Sequence, residues 1–256
     1  MKRKLIQIIL PVFLLGLILF IPFYKNGILI DFMGLEVENP FTQTIEIPEL
    51  YATIDSNNSG KPDPIDLVEE ARKEVEQRTT YRSAYYAGGY PPDEEGVCTD
   101  VIWRALLSID VSLKDLMDDD IKAHTDLYPR VEGNPDPNID FRRVPNQYVF
   151  FERHLESLTT EVIPGDVENL QEWQPGDIVL FLDGYHHVGI LSDRRGKDGI
   201  PYVIHNTWPH ASEIKLTSFT TPIAGHYRWN YEKTVAADSE ESGISVLAWK
   251  NKNNSR

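Results

Sequence analysis

The spacing of apolar residues changes character at Pro175. Before it, apolar positions recur at helical intervals. Leu67, Val68, Ala71 and Val75 share one face of a helix expected from about Asp66 to Arg78. Val101, Ile102, Ala105 and Ile109 form the stripe of a second helix starting near Cys98. A third carries Leu113, Leu116, Met117 and Ile121, with Ser112 as a natural N-cap. Asn146 is placed to cap a fourth, running through Tyr148, Phe151 and Leu155. An aromatic, glycine-rich loop (85–92) precedes the second helix and a proline-rich stretch (129–145) precedes the fourth.

After Pro175 the runs are short and β-rich: Ile178–Leu182, His187–Ser192, Tyr202–Asn206 and Ala224–Trp229, divided by Gly, Asp and Pro turns. Helices first and strands second predict an α+β domain, its N-terminal helices packed on a central antiparallel sheet.

The flanks differ from this core. Leu5 to Tyr24 is apolar but for Gln7 and follows Lys2, Arg3 and Lys4. Twenty residues at ~1.5 Å each span roughly 30 Å, the hydrocarbon thickness of a bilayer. No small-residue cleavage site closes the run, so residues 1–24 are expected to be one transmembrane anchor with its positive end in the cytoplasm. The expected organisation is then an extended stalk (25–54), a candidate calcium loop (55–66), the domain (67–231) and an acidic linker with a C-terminal tail (232–256). The domain would lie outside the cytoplasm, at the cell membrane.

Composition narrows the chemistry. The net charge is −15, and no basic run interleaves with aromatics, which argues against nucleic acid as a partner. Cys98 is the single cysteine, so no intramolecular disulfide exists. An exported lone thiol is either a small buried hydrophobe or a nucleophile.

Cys98 sits where a loop turns into a helix. The helix dipole and free backbone amides there favour thiolate. A thiol nucleophile also needs a base, and the base a partner that orients it. His187 opens a strand and points opposite to Val188 and Ile190, away from the core they enter and toward a cleft. The strand Tyr202–Asn206 offers His205 on one face and Asn206 on the other, and either residue could hold an imidazole in the useful tautomer.

The order of these pieces resembles the NlpC-type, papain-like cysteine peptidases of bacterial cell walls. The matching positions are Tyr85 with Gly88-Gly89, Cys98, Gly176-Asp177, His187-Val188-Gly189-Ile190 and Ile204-His205. More closely, the runs YYAGGYPPDEEGVCTDVIWRAL, DPNIDFRRVPN, GDIVLF and GHYRW resemble a bacterial family, domain of unknown function 1287, over about Tyr81 to Trp229. The resemblance implies a papain-like fold, with Cys98 as nucleophile, His187 as base, His205 as its orienting residue and Tyr85 on the oxyanion side. One departure stands out: NlpC-type enzymes read Asp-Cys-Ser-Gly, and this chain reads Val97-Cys98-Thr99-Asp100.

The expected function is a membrane-anchored cysteine hydrolase acting on an amide or peptide bond, with cell-wall peptide as a substrate class and no catalytic cofactor. The alternatives are a thiol acyltransferase, a non-catalytic envelope-binding module, and a metal hydrolase using His186, His187, His205 and His210. Arg142 and Arg143 are expected in ordinary salt bridges rather than on a substrate carboxylate. Separately, Asp55, Asn57, Ser59, Asp63 and Asp66 fall at positions 1, 3, 5, 9 and 12 of a stretch with Gly60 at 6. This resembles an EF-hand-type calcium loop, with Lys61 contributing its backbone carbonyl and the ion serving a structural role.

Overall fold

The computed structural model describes residues 43–231, with Gly16 alone before them. The expected anchor apart from that glycine, the stalk up to residue 42 and the tail from 232 lie outside the described residues. Among the described residues no helix is long and apolar enough to cross a membrane.

Strand β4 (Ile178–Phe181) is apolar at every position because both of its faces are covered. Ile178 and Leu180 enter one core with the helices, while Val179 and Phe181 enter a second core on the opposite face. The sheet around it is six-stranded and antiparallel throughout. Its order is β3 (Glu156–Ser157), β8 (Ile223–Arg228), β4, β5 (His187–Arg195), β6 (Pro201–Asn206) and β7 (Ala211–Lys215). A separate parallel pair, β1 (Thr80–Tyr81) and β2 (Glu95–Gly96), brackets the aromatic loop. The mixed α+β class is as the patterning predicts. The edge strands β3 and β7 are additions, and so is the short helix α5 (Val167–Leu170).

Four longer helices cover the first face. α1 (Asp63–Gln77) buries Leu67, Val68 and Ala71 and starts three residues earlier than its apolar stripe indicates. Pro64 explains the early start: its fixed φ suits a first helical turn, and Asp63 and Asp66 place negative charge there. α2 (Cys98–Leu107) buries Val101, Ile102 and Ala105, and α3 (Leu113–Ala123) is capped by Ser112, whose Oγ accepts from the Asp115 N–H at 3.3 Å. α4 (Val144–His154) differs from expectation at its start. Arg143 is the N-cap and Pro145 lies in the first turn. Asn146 is inside the helix and donates Nδ2 to the Asp140 carbonyl at 3.0 Å.

Residues 43–54 contain no helix or strand, and they lie against the domain. The Ile45 N–H donates to Lys197 O (2.8 Å), Gln174 Nε2 donates to Pro48 O (3.0 Å) and the Leu50 N–H donates to Gln174 Oε1 (2.9 Å). Ile47 packs on the second core.

Candidate active site

Val97 is extended and Cys98 is the first helical residue of α2. The turn is closed by Asp100, whose carboxylate accepts the Val97 N–H at 2.7 Å. The same carboxylate takes the Trp103 indole N–H (2.7 Å) and a bidentate pair from Arg142 Nε and Nη2 (both 2.7 Å). Thr99 donates Oγ1 to Arg142 O at 3.1 Å, and Arg142 donates Nη1 to Ala84 O at 2.9 Å. Both charges of the Asp100–Arg142 pair are buried. Thr99 and Asp100, two of the three residues that depart from the NlpC-type pattern, therefore hold the start of α2 to the 140–142 turn and, through Arg142, to Ala84 just before the aromatic loop. Arg142 has the salt-bridge role expected of it, and Arg143 pairs with Asp140 at 2.9 Å.

Cys98 is 7% exposed. The amide of Val188, the peptide that follows His187, acts on its thiol and favours the anion. Burial pushes the thiol up to about 12, against the pull of that amide and of the Thr99 and Cys98 amides. The expectation of a thiolate is thereby corrected. The amides at the helix start do favour the anion, but loss of water outweighs them.

His187 opens β5, and its Nε2 lies 2.8 Å from His205 Nδ1. The rings meet edge to face, with centroids 4.9 Å apart. His205 faces Ser212 across the β6–β7 ladder, and its Nε2 lies 3.2 Å from Ser212 Oγ. Tyr185 stacks on the His187 ring at 4.8 Å, and Phe219 lies 5.8 Å from it and 5.1 Å from His205. His187 does turn away from Val188 and Ile190, but into this aromatic enclosure, where it is 2% exposed, and not into an open cleft. Burial and the neighbouring His205 hold His187 well below the ordinary imidazole range, and burial brings His205 to about 3. At rest the thiol, in the core with the helices, and the two imidazoles, against the rings of the second core, are all neutral. Among the described residues no hydrogen bond joins the Cys98 sulfur to the His187 ring.

Asn206, the other orienting candidate, points to the opposite face of β6. It donates Nδ2 to Thr79 O at 3.2 Å, because neighbours in a strand alternate. His205 is the residue brought to His187. Tyr85 stands 60% exposed on the aromatic loop, donating to Asp136 (3.1 Å) and accepting from Asn138 Nδ2 (2.9 Å). The tyrosine electrostatically coupled to Cys98 is Tyr81 in β1, whose phenol is raised mainly by burial and further by that thiol. Sequence spacing offers no signal for Tyr81 or Ser212, since both roles depend on strand pairings at the sheet edge.

Gly189 shows why the His-Val-Gly-Ile run needs its glycine. A Cβ there would lie 2.9 Å from Ile204 O and collide with the Val203 side chain, so β6 passes β5 too closely for any side chain.

Of the four histidines of the metal-hydrolase alternative, only His187 and His205 meet. His210 lies beside Arg78 and the Ala211 carbonyl. Among the described residues, the group close enough to share one ion is Asp55, Asp63 and Asp66, with no histidine in it. That trio and its neighbours Asn57, Ser59 and Lys61 lie at the other end of α2 from Cys98, where Asn57 Nδ2 donates to Ser108 O at 2.8 Å.

An antiparallel sheet that carries a buried imidazole pair, with a buried cysteine at the start of a helix packed on it, defines a mixed α+β protein with a candidate thiol centre. The chain belongs to the family described as Domain of unknown function (DUF1287), whose model matches residues 68–229. It is 37% identical over 191 residues to "Uncharacterized protein YijF" of Escherichia coli (strain K12), covering 72% of this chain and 87% of that protein. No solved structure gives a significant match.

Proposed function

We propose that this protein is a membrane-anchored cysteine hydrolase with its domain outside the cytoplasm, an NlpC-type papain-like enzyme that cleaves an amide bond in cell-wall peptide. The observations that support the reading are the 2.8 Å contact between His187 and His205 and the action of the Val188 amide, next in the chain after His187, on the Cys98 thiol.

The productive tautomer follows from the hydrogen-bond chain. With Nε2–H of His205 donating to Ser212, its Nδ1 accepts Nε2–H of His187, and His187 Nδ1 is left free to take a proton. In the reaction the Cys98 S–H proton passes to His187 as sulfur attacks the carbonyl carbon. The C–N bond then breaks, and the departing amine takes that proton, leaving a thioester on Cys98. Water, deprotonated by His187, attacks the thioester and releases the carboxylic acid, and the thiol recovers its proton. Because both partners rest neutral, His187 acts as a general base at the moment of attack rather than as a standing ion-pair partner. Catalytic hydrogen bonds absent from a ligand-free site form in the substrate complex.

The burial of Cys98 favours a second reading, a non-catalytic module in which the thiol is a core residue. Intact-mass spectrometry of an acid-quenched reaction with soluble wall peptides separates the two. The hydrolase gains the mass of an acyl fragment, mapped to Cys98, which His205→Ala lowers. A chain that never gains mass at Cys98, with wall peptide left uncut, supports the binding module.

A further inference from the structure

The turn that leads into α1 is built around three carboxylates. One oxygen from each of Asp55, Asp63 and Asp66 lies within 4.8 Å of the others. An ion held at about 2.3–2.6 Å from each oxygen brings its ligands within about 5 Å of one another, so the trio already has the spacing of a shared calcium ion. Like charges this close repel unless a cation lies between them. No basic side chain supplies it: among the described residues none of the three carboxylates makes an ion pair, and Lys61 turns its ammonium to Glu69 at 2.5 Å.

Asp63 is the independent sign of a ligand. It has no exposed surface, and its Oδ2 is buried with no hydrogen-bond partner, while Oδ1 accepts the Ser56 N–H at 2.8 Å. A buried carboxylate oxygen left without a donor costs free energy that a bound cation would remove. The surrounding loop is ordered as an oxygen cage. The Ser59 N–H donates to Asp55 (2.9 Å) and Asn57 Oδ1 (2.8 Å), the Gly60 N–H donates to Asp55 (2.9 Å), and Ser59 Oγ donates to Asp66 (2.6 Å). Gly60 itself has φ +87, the left-handed turn at the loop's sixth position.

We propose that Asp55, Asp63 and Asp66, completed by Asn57 Oδ1, Ser59 Oγ and the Lys61 carbonyl, bind one calcium ion. The all-oxygen set selects a hard cation over zinc, and six protein oxygens favour calcium over magnesium, which keeps most of its water. Because Asn57 reaches Ser108 O at the end of α2, and Pro64 packs under Gly176, the ion fastens the segment entering the domain to the helix that begins with Cys98. The site stands independently of what Cys98 does.

The test is the melting temperature of the full chain, stripped with a chelator and then given calcium or magnesium, together with calorimetric titration by calcium alone. Binding of roughly 10⁻⁴–10⁻³ M strength predicts one calcium per chain and a rise of roughly 3–10 °C in about 10 mM calcium. Magnesium should give less than half that shift. Asp55→Asn and Asp63→Asn should lose the calcium response. Asp55, on the outer side of the loop, serves if the buried Asp63 variant does not fold. An unchanged melting temperature with no binding heat, a response equal in magnesium, or a full response in Asp55→Asn would overturn the proposal.

Discussion

His187 Nε2 lies 2.8 Å from His205 Nδ1, joining the first residue of β5 to the neighbouring strand β6 inside a wall of aromatic rings. Two imidazoles this close and this dry are held neutral, so one must donate and the other accept. The direction of that donation decides whether His187 can work as a base.

If His205 fixes the tautomer of His187, His205→Ala lowers kcat by about 10²–10⁴-fold and changes KM much less. His205→Asn retains more activity, because its amide oxygen can still accept the His187 Nε2 proton. Steady-state kinetics on wall peptides checks both, and equal kcat in His205→Ala and the parent chain would contradict the assignment.

The same burial makes stability depend on pH. His205 sits near 3 in the folded chain against an ordinary 6.5, so between those values the unfolded chain binds a proton that the folded chain refuses. Its contribution is present above pH 6.5 and is lost as pH falls toward 3, by roughly 3 kcal/mol at pH 4. Glu74 opposes this, since burial raises it from 4.5 to about 7 and acid relieves its cost across that range. Comparison with His205→Gln cancels the Glu74 effect. Urea unfolding at pH 7 and pH 4 should show the parent losing about 3 kcal/mol more than the variant. Parallel losses would show that His205 is not held neutral.

Asp100 and Arg142 carry a structural prediction. Removing one partner leaves a buried charge without compensation, so Arg142→Leu should cost about 3–5 kcal/mol. The double change Asp100→Asn with Arg142→Leu should recover part of that loss. Chemical denaturation tests the ranking.

Gly189→Ala forces a methyl toward the Ile204 carbonyl and the Val203 side chain. The cost should be about 1–3 kcal/mol, with activity falling because β5 positions both His187 and the Val188 amide. A variant of parental stability would show that the two strands have room to part.

The helices α1 to α3 and the strands β4, β5, β6 and β8 were readable from periodicity, because each has a buried stripe or a continuous apolar run. Strand β7 was not: Ala-Ser-Glu-Ile-Lys carries little apolar weight and is defined by pairing with β6. The two-residue β3 is likewise defined by its pairing with β8. Cys98, His187 and His205 were legible from residue type and order. The choice of His205 over Asn206 required knowing which face of β6 meets β5. The protonation state was the least legible feature. A helix start raises the expectation of thiolate, and only the packing of Cys98 under β5 shows that water is excluded strongly enough to reverse it. The carboxylate loop was visible in spacing, but the buried, partnerless Asp63 oxygen was not.

The most direct measurement is release of soluble peptide from purified cell-wall sacculi by the full chain and by Cys98→Ala, with melting temperatures recorded for both. If Cys98 is the nucleophile, the parent releases peptide and Cys98→Ala loses at least about 10³-fold of that rate while melting within a few degrees of the parent. Release by Cys98→Ala at the parental rate would contradict the account.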